Sequence, residues 1–225
     1  MAKTALSKAE PIRPPSDAEP AEQQRPRGLR ERNKRDKQQR IINAARELFR
    51  EKGFEETTAR EVCKRAQIGT GTLFLYVKDK HELLLWAFRD DAERLLEGGS
   101  RKLSRNGIVD SWMALLGRFV DFYGERPELA RLFIRELSFR PEREFAEAFT
   151  WTQKLRDRVD DLARQAQEAG ELRTDVPLHE ITNSVMSVWA FWVQLWLGSQ
   201  RVAQRNVKRH LRRGLELLFD GLRQR

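Results

Sequence analysis

The sequence predicts an all-α fold, and three observations predict it. Apolar residues recur at intervals of three and four through most of the chain. No stretch alternates apolar and polar residues over a useful strand length. Glycines and prolines fall where those periodic segments end and begin.

Taken in order, residues 1–35 hold five of the eight prolines and almost no large apolar side chain. Such a segment buries too little surface to offset its ordering entropy, so it is expected to be a disordered basic tail. From Asp36 a helix begins, with Ile41, Ala45, Leu48 and Phe49 on one stripe and Gly53 as its stop. Thr58-Ala59-Arg60-Glu61 fits a capping box, and the helix it opens buries Val62, Cys63 and Ala66. Gly69 and Gly71 then allow a tight turn, and a short helix runs through Leu73, Phe74, Leu75 and Tyr76. A longer helix starts near His81 and carries Leu83, Leu84, Ala87 and Leu95. After a loop bracketed by Gly98-Gly99 and Asn106-Gly107, residues 108–124 present Trp112, Leu115, Leu116, Phe119, Val120 and Tyr123. Pro127 and Pro141 each suit the first position of a helix, and the second of these helices runs to Gly170 past Phe145, Phe149, Leu155, Val159, Leu162 and Ala166. Asp175 and Pro177 open a helix that ends near Gly198. The last helix, about 201–222, places Val207, Leu211, Leu215, Leu218 and Leu222 on one stripe.

The charge is uneven. The chain has 225 residues and a net charge of +9, yet residues 1–35 carry nine basic and five acidic residues, and residues 36–80 carry ten and seven. The remaining 145 are nearly balanced, with 24 basic and 22 acidic. A basic end on a neutral body points to a polyanion met by the N-terminal third. The longest apolar run, Ser184 to Ser199, contains Gln194 and falls short of the roughly 18–20 residues that span a bilayer, and the N-terminus has no signal-like apolar core. No membrane partner is therefore expected, and a cytoplasmic location is. Cys63 stands alone, and His81, His179 and His210 share no ligand spacing, so no metal or other cofactor is expected. No nucleophile, metalloprotease or phosphate-loop motif occurs, and the chain is not expected to be an enzyme.

Three short helices with a tight turn between the second and third describe a helix-turn-helix. Its third helix must offer residues to base edges, and Thr70, Thr72, Leu75 and Tyr76 are placed to do so. Lys80, just before the next helix, is within reach of a phosphate. A helical binding module with a basic tail and no sequence-specific DNA role is the alternative class. The capped, glycine-containing turn favours the DNA reader.

Over Arg40 to Leu84 the sequence resembles the TetR family of bacterial transcription regulators. The resemblance rests on Ala44, Ala45, Leu48 and Phe49, then Gly53 and Phe54, then Thr57 and Thr58, then Gly71, Thr72, Leu73 and Phe74, and finally Lys80. It departs at Gln67, where a glycine is usual, at Gly69, where a small hydroxyl cap is usual, at Phe74, usually tyrosine, and at Val77, usually aromatic. The resemblance implies a helix-turn-helix domain over 36–82 and a helical effector-binding and dimerisation domain over 83–225. It implies a ligand-responsive regulator, a repressor that a small, mainly hydrophobic effector releases from a near-palindromic double-stranded operator. The candidate DNA contacts are Lys37, Thr58, Arg60, Thr70, Gly71, Thr72, Phe74, Leu75, Tyr76 and Lys80. Candidates for an effector pocket are Trp112, Phe119, Phe149, Trp151, Trp189 and Trp192. The helix that ends near Gly198 is apolar nearly all round over 185–197, which suggests burial on both sides. A homodimer is expected through Trp196, Val207, Leu211, Leu215, Leu218 and Leu222.

Overall fold

The computed structural model describes residues 25–139, 146–198 and 202–223. Among the described residues nine α-helices follow one another: α1 Arg25–Lys52, α2 Ala59–Ala66, α3 Thr70–Leu73, α4 Lys80–Glu97, α5 Ile108–Glu125, α6 Pro127–Phe139, α7 Ala146–Glu168, α8 Leu178–Leu197 and α9 Gln204–Leu222. The only β element among these residues is an isolated bridge between Leu172 and Arg223. No helix of the described residues is long and apolar enough to cross a membrane.

One expectation is corrected at the N-terminus. Residues 25–35, expected in the tail, are helical. Pro26 sits in the first turn, where no intrahelical N–H bond is needed, and the residues after Leu29 are mostly Arg, Glu, Lys and Gln, which lose little freedom in a helix. Polar composition misled because it reports the lack of a buried face, not the lack of helix propensity. The rest of that tail, the helix start at Pro141 with Phe145, and the side chain of Phe149 lie outside the described residues.

The molecule divides into two compact units, with the division inside α1 after Lys37. Gln38–Arg225 forms one unit, with no division at the expected boundary between 82 and 83. The sequence of α4 explains this. From Glu82 to Phe88 seven consecutive residues are buried, so this helix is enclosed on every side at its first two turns. It packs on α5, α6 and α7, and Arg46 and Phe54 of the reading head touch it as well.

Local rules build the head. Gly53 ends α1 at φ +87°, a conformation that strains any side chain, and its N–H donates to Phe49 O at 3.1 Å. Thr58 caps α2: its Oγ1 accepts from the Glu61 N–H, while Glu61 accepts from the Thr58 N–H at 3.0 Å. Thr57 is buried and donates to Gly53 O at 2.7 Å, closing the turn between α1 and α2. Ile41, Ala45, Leu48, Phe49, Val62, Cys63, Ala66 and Leu73 form the core of the head. In the bundle, α8 packs on both α7 and α9, and α5 packs on α9.

Candidate nucleic-acid interface

The second and third helices present their free surface through a very short recognition element. α3 is helical only over Thr70–Leu73; Phe74 is its C-cap, and Leu75 to Val77 turn back through bonds to Thr72 O and Leu73 O. Leu73 points into the core, whereas Phe74 is 56% exposed and Leu75 81% exposed. Two large apolar side chains held in water on one turn, beside exposed Thr70 and Gly71 and half-buried Thr72 and Tyr76, leave a surface with no partner among the described residues. Thr58 and Arg60, at the start of α2, are exposed, and so is Lys37 on α1.

The turn is built differently from the expectation. Gly69 and Gly71 were expected to permit close packing, but a Cβ at Gly71 would meet nothing within 4 Å, and one at Gly69 would meet only the Thr72 hydroxyl at 3.8 Å. The strained position is Gln67, at φ 55° and ψ 50° in the left-handed region. Its N–H still bonds to Lys64 O at 3.3 Å, so a glutamine holds the left-handed cap that a glycine would adopt without strain.

Lys80 also differs. Its Nζ donates to Phe54 O at 2.9 Å and Glu55 O at 3.1 Å, and lies 4.4 Å from the centre of the Phe54 ring. The amine expected to reach a phosphate is thus first a tie between α4 and the turn after α1, with one N–H left over. Cys63 is buried and its thiol is pushed up by that burial, in keeping with a core residue.

Charged groups fix the head to α4. Arg46, buried on α1, contacts Asp90 at 3.2 Å and Asp91 at 3.3 Å and donates to Ala87 O at 3.3 Å. Burial pushes both carboxyls up. At Asp90, hydrogen bonds from Gln39 and Arg89 and the charges of Arg89 and Arg46 outweigh it, and the group stays below its usual range. At Asp91 burial prevails over the charges of Arg46, Arg50 and Arg94, and the group is raised. Two further links reach α6 and the end of α5: the His81 ring packs on Phe54 at 5.0 Å with its Nε2 4.0 Å from Glu136, and Arg126, the C-cap of α5, donates to Arg50 O at 2.7 Å.

Inside the bundle the structure brings together Phe119, Trp151 and Trp189. Phe119 stacks on Trp151 at 5.8 Å and meets Trp189 edge-on at 6.1 Å. Two residues the sequence reading did not single out for the pocket complete the cluster: Tyr123, 6.3 Å from Trp189, and Phe133, 5.9 Å from Trp151. Tyr123 was visible on the α5 stripe, but a stripe marks a buried face without naming its neighbours. The indole N–H groups of Trp112, Trp151 and Trp189 and the Tyr123 hydroxyl are buried and have no hydrogen-bond partner among the described residues. Burial alone pushes the Tyr123 hydroxyl above its ordinary pKa. Trp192 does not belong here: it stacks on His210 of α9 at 4.6 Å.

The expected dimer residues are corrected as well. Val207, Leu211 and Leu215 are fully buried within their own chain, and Trp196 is buried too. Their stripe is covered by α5 and α8 of the same molecule, which leaves them no surface for a partner. Leu218 and Leu222 are half-buried. The surface left on α8 and α9 is instead Phe191, 56% exposed, and Leu217, 58% exposed, beside half-buried Val188 and Trp192.

The chain matches known proteins along nearly its whole described length. Residues 41–86 match the model of bacterial regulatory proteins of the tetR family, and residues 83–221 match that of the C-terminal domain of TetR/AcrR family transcriptional repressors. The HTH-type transcriptional repressor AcnR of Corynebacterium efficiens is 32% identical over 155 residues, covering 66% of this chain and 77% of that protein. AcnR of Corynebacterium diphtheriae is 25% identical over 192 residues, covering 83% and 92%. The crystal structure of Thermus thermophilus FadR, a TetR family repressor in complex with lauroyl-CoA, superposes with a TM-score of 0.61 at 27% identity, covering 82% of this chain and 94% of that one. A helix-turn-helix head and a helical C-terminal domain, each matched by its own model, make this chain a DNA-binding transcriptional regulator of the TetR family.

Proposed function

We propose that the protein acts as a dimeric repressor whose exposed α3 turn reads a near-palindromic operator and whose bundle binds an effector that releases it. The observation that carries the reading is the outward pair Phe74 and Leu75, held in water beside Thr70, Gly71 and Thr72. Apolar and threonine methyl groups suit the methyl of thymine in the major groove, and hydroxyls suit either base edge. Gly71 lets the backbone come close to a phosphate, since nothing in the protein itself needs the missing Cβ. Arg60 and Lys37 lie among the exposed cations that serve phosphate contact, and Thr58 and Tyr76 flank the same surface.

Two recognition helices require two copies, and the exposed face of Phe191 and Leu217 is the surface a second copy covers. A two-fold pair presents the helices about one DNA turn, roughly 34–36 Å, apart, which implies a palindrome. The effector meets the aromatic cluster of Phe119, Tyr123, Trp151 and Trp189. Each orphaned buried donor costs about 1–3 kcal/mol, so the cluster favours an apolar body that offers hydrogen-bond acceptors. The acyl thioester held by Thermus thermophilus FadR has that chemistry.

A footprint on the DNA upstream of the protein's own gene, with excess competitor DNA, tests the reading. A protected inverted repeat is expected, and protection that follows charge alone, equal on any sequence, would overturn it.

A further inference from the structure

A cleft of about 490 Å³ lies where the reading head meets the bundle, away from the aromatic cluster. That is the size of a small-molecule site, typically about 300–1,000 Å³. Its floor is apolar, made of Phe49 from the end of α1, Leu129 from α6, and Trp196 and Leu197 from the end of α8. Two guanidinium groups stand at its edge. Arg126 donates one N–H to Arg50 O at 2.7 Å, and Arg131 donates one to Leu197 O at 2.6 Å. Neither forms an ion pair with a carboxylate among the described residues, although Glu128 also lines the cleft. Each therefore keeps further N–H donors, fixed in direction by a backbone bond, beside an apolar surface.

We propose that this cleft is a binding site for an amphipathic anion, an apolar body ending in a carboxylate or a phosphate. The apolar part lies on Phe49, Leu129 and Trp196, and the anionic end accepts from Arg126 and Arg131. The excess of guanidinium over carboxylate excludes a cationic head, and the apolar floor disfavours a small hydrophilic anion. The site also touches the head itself: Arg126 holds the last turn of α1 through Arg50 O, so an anion that engages this guanidinium stands on the link between α1 and the junction of α5 and α6. This site is separate from the effector cluster proposed above and stands without it.

Titration of the full chain with decanoate, decyl phosphate and decanol, read by tryptophan fluorescence in the absence of DNA, tests the proposal. Decanoate or decyl phosphate is expected to bind at least tenfold more tightly than decanol, and the stronger of the two identifies the head group. Trp196→Phe is expected to remove the signal, while Trp151→Phe in the aromatic cluster keeps it. Arg126→Gln/Arg131→Gln is expected to weaken the anion at least tenfold and leave decanol unchanged, with circular dichroism and melting temperature as checks on folding. The single change Arg126→Gln, at an exposed residue, serves if the double variant melts early, and is expected to weaken the anion at least threefold. Equal binding of decanoate, decyl phosphate and decanol, or unaltered anion binding in a folded arginine variant, would overturn the proposal. Because no DNA enters the titration, a failure of operator recognition would leave this result intact.

Discussion

At Gly71 a methyl group would meet no atom within 4 Å, and the residue stands in a helical turn. Gly71→Ala should therefore leave the fold intact or stabilise it by up to ~1 kcal/mol, the gain of alanine over glycine in a helix. The same change is expected to weaken operator binding at least tenfold, because the methyl projects toward the DNA. Thermal melting and fluorescence anisotropy on one sample separate the two effects. Gln67 argues in the opposite direction: it holds a left-handed conformation, so Gln67→Gly should stabilise the head by about 1 kcal/mol without altering DNA affinity. Glu61 is a third case at this scale. Hydrogen bonds from Lys52 and Thr58 lower its pKa from 4.5 to about 2. A depressed carboxyl contributes stability that is fully present above the unfolded value and lost as pH falls through the folded one. The capping box should thus weaken between about pH 4.5 and 2, and Glu61→Gln, which retains a partner for the cap, should lose less stability across that window in acid melts.

Helices α8 and α9 show what a stripe of leucines does and does not say. Val207, Leu211 and Leu215 follow the helical period and are buried, but under α5 and α8 of their own chain. Periodicity marks a covered face without saying which molecule covers it, so the sequence could not separate a stripe buried within the chain from one left for a second copy. Leu217→Glu or Phe191→Glu should split the dimer at micromolar concentration with little loss of helix content, as sedimentation and circular dichroism would report. Leu211→Glu should unfold the chain instead, because it places a charge in the core. The parts of the head that were legible, the stop at Gly53 and the box from Thr58 to Glu61, are rules between near neighbours in sequence. The tie made by Lys80 was not legible because its partners, Phe54 O and Glu55 O, lie some 25 residues away and are backbone atoms that carry no side-chain signature. The helical start at Arg25 was missed because a polar helix has no stripe.

On the scale of the whole molecule, the reading head and bundle are joined by α4, with Arg46 held between Asp90 and Asp91. On the proposed reading, an effector that parts the rings of the aromatic cluster would act on α5, α7 and α8, which pack around α4 and α9, and the Arg46 ion pairs would link α4 to α1. Moving the dimer from mostly bound to mostly released requires about 5 kcal/mol of differential affinity between the two states. Arg46→Met should therefore lower stability, since it removes the one guanidinium shared by two largely buried carboxylates, and should also reduce the effector's influence on DNA affinity. Residues 1–35 carry nine basic and five acidic side chains, an excess of positive charge that attracts DNA of any sequence. Their deletion should lower binding to any DNA at low salt and flatten the salt dependence, while operator preference persists.

The central claim is that the exposed turn of α3 reads base sequence. Anisotropy competition between the operator and a scrambled duplex, for the natural chain and for Leu75→Ala, tests it most directly. The natural chain should prefer the operator by about a thousandfold or more, as specific DNA readers do. Leu75→Ala should reduce that preference about tenfold or more and leave affinity for the scrambled duplex nearly unchanged. A natural chain that binds both duplexes equally, or a Leu75→Ala variant that weakens both by the same factor, would contradict the claim.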